Sequence, residues 1–172
     1  MKLSDIPQFT RSAPYSVTIF WSKLERFLAE EVAQGLDLDP DFQRGHVWTE
    51  AQQVAFVEFI LRGGESGKDI LTNQIDWHHG KGGGVYVLVD GKQRLTAVLR
   101  FLRNEIRAFG HLYSEFEDRK GVDLKLAFRY HINDLKTRAE VLQWYLDLNA
   151  GGTPHSSEEI SRVRGLLAAE SK

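Results

Sequence analysis

The chain has 172 residues, of which 42% are hydrophobic and 27% charged, globular values that exclude a disordered or fibrous protein. It contains no cysteine, which removes disulfides, thiolate nucleophiles, zinc–cysteine sites and iron–sulfur clusters together. Lysine and arginine number 22 against 24 aspartates and glutamates, a formal charge of -2, so a protein coated in positive charge is excluded while a local basic groove is not.

Met1 to Pro14 carries two prolines and little periodicity and reads as an extended arm. Tyr15 to Ile19 alternates and is rich in β-branched residues, which predicts a short strand. Trp21, Leu24, Phe27, Leu28 and Val32 then fall on one helical face, and Gly35 ends that run. Leu36 to Asp39 reads as a second short strand closed by Pro40. Thr49 followed by Gln52 is a capping-box pattern opening a helix with a buried stripe of Val54, Val57, Ile60 and Leu61, stopped by Gly63-Gly64. Ile70 to Trp77 and Val85 to Val89 read as strands joined by the flexible loop His78 to Gly84. Leu95, Val98, Leu99 and Leu102 mark the next helix, and Leu124 to Tyr130 the last strand. A helix through Val141, Leu142, Tyr145 and Leu146 and a final one through Ile160, Val163 and Leu167, capped by Ser156 or Ser157, complete the chain. Interleaved strands and helices give an α+β class with a small mixed sheet and a C-terminal helical pair. A single domain is expected over 1–172, divided into the arm (1–14), a sheet-rich core (15–121) and a strand plus two helices (122–172).

Several weak signals are set aside on context. Gly63 to Asp69 resembles a phosphate-binding loop, but Arg62 and Asp69 occupy the positions of its first glycine and its magnesium-binding hydroxyl, and a helix precedes it. None of the six histidines forms a His-x3-His pair, so no protein metal site is expected. Asp118-Arg119-Lys120 has a nuclease-like spacing, yet lies in a polar segment with no paired acid in view.

The strongest site is Val89-Asp90-Gly91-Lys92-Gln93-Arg94-Leu95-Thr96. An apolar strand delivers a carboxylate at its end, glycine permits a close turn, and a helix follows whose N–H groups favour anions. Arg94 can grip a phosphate with two parallel bonds, and Gln93 can orient a water. An ordinary strand–turn–helix, with Asp90 capping the helix, explains the same spacing. Phe42-Gln43-Arg44 with Trp48, and Asn149 to Pro154, are two further polar loops that precede helices, and the three together can converge on one phosphorylated ligand.

At these three loops the sequence resembles the N-terminal domains of GmrSD-type modification-dependent restriction enzymes. Phe42-Gln43-Arg44 to Trp48, Val89 to Thr96, and Asn149 to Pro154 match that family's motifs in order and spacing, over about Leu36 to Leu167. The resemblance implies a ParB/sulfiredoxin-like fold, in which the absence of cysteine closes the thiol chemistry and leaves phosphate handling. It implies a nucleotide-binding domain, with weak NTPase activity as the candidate reaction, in phage or bacterial DNA metabolism or restriction and defence. By position Asp90, Gln93 and Arg94 are the candidate catalytic residues, Asp90 and Gln93 organising a water or a magnesium ion and Arg94 holding phosphate. Gln43, Arg44, Gly91, Lys92, Thr96, Asn149, Gly151, Gly152 and Thr153 are the candidate nucleotide-binding residues. Magnesium with an NTP is the implied cofactor. Lys92 departs from the glutamine usual at its position, which bears on hydrolysis. No nuclease module with clustered His and Asn is recognisable, so a complete restriction endonuclease is not expected, and stand-alone phage or prophage members are the nearest analogy.

Two alternatives stay open. One is a non-hydrolysing DNA-binding or nuclease-accessory module using a basic strip of Lys92, Arg100, Arg103 and Arg107 beside Arg44 and Arg62. The other is a phage protein-interaction factor with a vestigial pocket, anchored by Trp77 or Trp144. Expected partners are a nucleotide, DNA, and a separate nuclease subunit or host defence protein. With no signal-peptide pattern and no run near the roughly 20 apolar residues of a membrane span, a cytoplasmic location without membrane contact is expected.

Overall fold

The computed structural model describes residues 2, 6, 15–43, 45, 48–77, 85–118, 126–150 and 157–170. Strands β1 (Tyr15–Phe20), β2 (Asp69–Gln74), β3 (Tyr86–Asp90) and β4 (Ala127–Asn133) form one sheet, in the order β1-β4-β2-β3. β1 pairs antiparallel with β4, β4 parallel with β2, and β2 antiparallel with β3, so the sheet is mixed. Helices α1 (Trp21–Ala33), α2 (Glu50–Leu61), α3 (Lys92–Leu102), α4 (Arg138–Ala150) and α5 (Ser157–Glu170) surround it. The α+β class expected from the interleaved pattern is what the chain forms.

The pleat of β3 explains the two layers. Tyr86 and Leu88 belong to one core with Trp21, Leu24, Val57, Leu95, Val98 and Phe128, the helices being α1, α2 and α3. Val87 and Val89 belong to a second core with Val141, Leu142, Tyr145 and Val163 from α4 and α5. A strand covered on both faces needs a continuous apolar run, and Tyr-Val-Leu-Val supplies it. Inside the first core Tyr86 donates to Glu31 and lies 2.7 Å, oxygen to oxygen, from Tyr130. Burial pushes the Tyr130 hydroxyl up to about 12 and Tyr86 in the same direction.

The helix starts and stops follow the local chemistry. Thr49 Oγ1 accepts from the Gln52 amide at 3.3 Å while Gln52 Oε1 accepts from the Thr49 amide at 2.8 Å, the reciprocal pair that the sequence pattern predicts. Other expectations shift. Val32 is 47% exposed rather than buried, because in the last turn of α1 it is Glu31 that turns inward to meet Tyr86. The stripe of α2 is narrower than expected: Val57 and Ile60 are buried with the polar Gln53, and Val54 and Leu61 only partly so.

Leu36 to Asp39 does not form a strand. It makes a single parallel bridge, Asp37 to Val87. The bridge consists of two hydrogen bonds, Asp37 N–H to Tyr86 C=O and Leu88 N–H to Asp37 C=O, both 2.9 Å. Leu36 to Asp39, with the described residues 40–43, 45 and 48 that follow, is a strap, and its first part lies along the outer edge of β3 and satisfies backbone groups that an open edge would leave unpaired. β2 ends at Gln74, before a turn through Asp76 at φ +55, so the strand expected to reach Trp77 is shorter. β4 starts at Ala127 and continues to Asn133, three residues past the expected end, where Ile132 pairs with both Tyr15 and Thr72. Most of the N-terminal arm, the loop from His78 to Gly84, Leu124 and Ser156 lie outside the described residues.

Candidate functional site

The site is built where β3 ends and α3 begins. Gly91 is the helix N-cap at φ +111, left-handed backbone that side chains adopt at a cost. A Cβ there would also lie 2.5 Å from Ile70 Cδ1, the end of a side chain that would have to move, and 3.4 Å from Ile70 Cα, an ordinary contact, so packing adds to the conformational preference for glycine. Asp90 does not cap the helix through its side chain in the usual sense. Its Oδ1 accepts from the Gly91 amide at 2.8 Å, and its Oδ2 accepts from Arg94 Nη2 at 2.5 Å. The Arg94 side chain is 19% exposed and that of Asp90 48%, so the pair sits at the rim with the carboxylate facing outward.

The neighbouring motif residues hold the strap. Lys92 Nζ pairs with Asp39. Gln93 Nε2 donates to the Gly45 carbonyl at 3.1 Å, and its Oε1 accepts from the Trp48 amide at 3.2 Å. Gln43 Nε2 donates to the Leu88 carbonyl at 2.6 Å, next to Val89 and the turn. Thr96 Oγ1 donates to the Lys92 carbonyl at 2.9 Å, one turn into α3. Gln43, Asp90, Gly91, Lys92, Gln93, Arg94 and Thr96 are therefore in one neighbourhood, linked through β3, the turn and the strap. Asn149 sits in the last turn of α4, where Nδ2 donates to the Tyr145 carbonyl at 2.7 Å. Tyr145 in turn packs edge-on against Phe42 of the strap, ring centres 5.2 Å apart. Arg44, Gly151, Gly152 and Thr153 lie outside the described residues.

Gln53 is a member that sequence reasoning missed. It is 2% exposed, donates from Nε2 to the Trp48 carbonyl at 3.1 Å, and accepts from Arg100 at 2.8 Å. It thus fixes the far end of the loop that Gln93 holds. A glutamine among the apolar positions of α2 was the available signal, since a buried amide needs partners for both ends.

The basic strip, which runs from α3 into the residues after it, does not stand free. Arg100 pairs with Glu50 and Glu105 at 3.0 and 3.2 Å, Arg103 with Glu25 at 2.7 Å, and Arg107 with Glu115 at 3.1 Å. Of the two tryptophans proposed as anchors, Trp144 is buried in the second core, and Trp77 stacks on Tyr15 with ring centres 4.8 Å apart. A separate polar cluster joins β2 to β4: Arg129 donates to both oxygens of Asp69 at 2.8 and 2.9 Å, and His131 Nε2 lies 2.7 Å from Asp69 Oδ1. The Arg129 hydrogen bond, aided by that of His131 and opposed by burial, holds the Asp69 carboxyl below its ordinary range.

Among the described residues no group of three or more His, Asp or Glu side chains converges as a metal cage. At the turn Asp90 presents one carboxylate, which already accepts from the Gly91 amide and from Arg94; a magnesium ion binds through one or two carboxylates and completes its shell with substrate phosphates and water.

A mixed sheet with helices on both faces, carrying a strand–Asp-Gly–helix turn strapped by a Gln-containing loop, defines a small α+β domain with a polar site at one strand end. The chain belongs to the family of GmrSD restriction endonuclease N-terminal domains, whose model matches residues 24–140. That membership puts it among restriction-system proteins, with a DNA-related role in restriction or defence. No curated protein and no solved structure matches the chain. No described helix is long and apolar enough to cross a membrane.

Proposed function

We propose that this domain binds a nucleotide at the Asp90–Arg94 turn, on a ParB/sulfiredoxin-like scaffold, and uses it in restriction or defence, with slow hydrolysis as the associated activity. The observation that carries the reading is the Asp90–Arg94 pair, a charge-assisted bond at the head of α3. The first N–H groups of that helix and its macrodipole favour an anion at the same place. An incoming phosphate exchanges places with a carboxylate: Arg94 passes from Asp90 to phosphate, and Asp90 becomes available to a magnesium ion or a water. Lys92, held by Asp39, can make the same exchange. Gln93 and Gln43 keep the strap in register with the turn, so the strap is in place before the ligand arrives and only the charged side chains have to exchange partners. Asp90, once released by Arg94, would hold a magnesium ion accompanying the nucleotide, which would supply charge neutralisation at the phosphates. Electrostatic stabilisation of this type is most of what phosphoryl transfer asks of a protein.

Isothermal calorimetry with each of the four NTPs, with and without magnesium, tests the reading. Saturable binding that Arg94→Ala abolishes is the expected result, and absence of heat with all four would overturn it. The DNA-binding alternative asks the same exchange of Arg100, Arg103 and Arg107, each of which would have to leave a carboxylate for a DNA phosphate. Retention on DNA that weakens steeply with salt would support it.

A further inference from the structure

The C-terminal helices reach back across the molecule to the strap. Arg162 of α5 donates from Nη1 to the Asp41 carbonyl, and from Nη2 to the carbonyls of Phe42 at 3.1 Å and Gln43 at 3.4 Å. Arg138, which opens α4, grips both carboxylate oxygens of Asp41 at 2.8 Å. Phe42 is buried in the second core, and the Gln43 amide closes a turn onto the Pro40 carbonyl at 2.9 Å. One planar guanidinium thus collects three successive carbonyls, a task that needs its fixed fan of donors and that a lysine ammonium cannot reproduce. Arg162 holds Asp41, Phe42 and Gln43 of the strap, whose residues Gly45 and Trp48 are held by Gln93. It also lies outside the segment that the family model covers.

We infer that Arg162, supported by Arg138, is a positioning residue of the site: it sets the strap so that Gln43 and Gln93 stand in register beside the Asp90–Arg94 turn. The inference rests on the nucleotide reading for its functional consequence, but its structural half is separable. With the strap loosened, the site must order Gln43 and Gln93 at the moment of binding, and affinity falls by that ordering cost.

The test uses the full chain with Arg162→Lys, Arg162→Ala and, should the alanine variant unfold, Arg138→Gln. Residue-resolved amide exchange without ligand is read at Gln43, whose N–H bonds Pro40, and at Trp48, whose N–H bonds Gln93. Both amides are expected to exchange about tenfold faster in every variant, while Val57 in α2 stays protected. Nucleotide affinity is expected to fall about tenfold, and Arg162→Lys is not expected to rescue it. Unchanged exchange at Gln43 and Trp48 overturns the inference, and so does a loosened strap with unchanged affinity. If the wild-type chain binds no nucleotide, the proposed function falls, and the inference is then decided by exchange alone, because the register of Gln43 and Gln93 is what it asserts.

Discussion

The guanidinium of Arg94 lies 2.5 Å from the carboxylate of Asp90, four residues earlier across the start of α3. The two residues proposed to handle phosphate are therefore partners of each other in the unliganded chain. A carboxylate in that position competes with any anion for the same N–H groups.

Asp90→Asn removes the competitor and leaves the geometry of the turn, since an amide oxygen can still accept from Gly91. Metal-free affinity for a nucleotide or for pyrophosphate is expected to rise about two- to fivefold, the worth of a partly exposed ion pair. The gain from added magnesium is expected to vanish in the same variant, because the carboxylate that would hold the ion is gone. Calorimetry with and without magnesium on wild type and variant measures both. A fall in metal-free affinity would show that Asp90 helps to bind the anion rather than competing with it.

Gly91 and Gly35 separate two costs that are usually confounded. Both have left-handed backbone, at φ +111 and +103, but a Cβ at Gly35 meets nothing within 4 Å whereas one at Gly91 runs into Ile70 at 2.5 Å. Gly35→Ala is expected to lose about 1–2 kcal/mol in urea unfolding, the conformational cost alone. Gly91→Ala is expected to lose about 2–4 kcal/mol, overpacking added to conformation. Ile70→Val removes the colliding Cδ1, so the double variant Gly91→Ala with Ile70→Val is expected to recover part of the difference. Equal losses at the two glycines would mean that β2 yields to the new methyl.

The capping box offers a third check on α2, which carries Gln53 and hence the far end of the strap. Thr49→Ala removes the hydroxyl that accepts from Gln52 and is expected to cost about 1 kcal/mol. Thr49→Ser retains the acceptor and is expected to stay within about 0.5 kcal/mol of wild type. Thermal unfolding of the two variants side by side decides the point. A cost shared by Ser and Ala would assign the effect to the threonine methyl.

Thr49 and Gln52 also illustrate what could be read from the chain alone. Their interaction is local and set by spacing, as is the strand–turn–helix from Val89 to Thr96, so both were legible together with the class of fold. Interactions across long separations were not. Nothing in the spacing of Asp41, Arg138 and Arg162 announces that they meet, and Asp37 alternates like a strand residue although it makes one bridge. The inward turn of Glu31 likewise depends on Tyr86, which lies on a strand that the helix pattern cannot see. Gln53 was legible in principle, as a polar residue on an apolar face, but its partners Trp48 and Arg100 come from other elements.

The cluster of Asp69, Arg129 and His131 makes stability depend on acid. Parallel pairing of β2 with β4 sets Asp69 beside Arg129, and His131 follows two residues on along the same face. The Arg129 hydrogen bond, with that of His131, lowers the Asp69 carboxyl below its ordinary 3.8. A carboxyl with a depressed folded value binds protons more readily in the unfolded chain. Its contribution is therefore complete above about pH 5, begins to fall as pH drops toward 3.8, and is lost once pH passes through the lower folded value. Asp69→Asn cannot titrate. Its unfolding free energy is expected to sit below wild type by a modest amount at neutral pH, about 0.5–1 kcal/mol for so exposed a pair. The two curves should converge as pH is lowered past 3.8, which urea unfolding from pH 6 to pH 3 would follow. Parallel curves across that range would show that Asp69 is not the carboxylate whose protonation loosens the sheet. The same convergence in Arg129→Gln, which removes the leading cause of the shift, would tie the acid response to that one bond across β2 and β4.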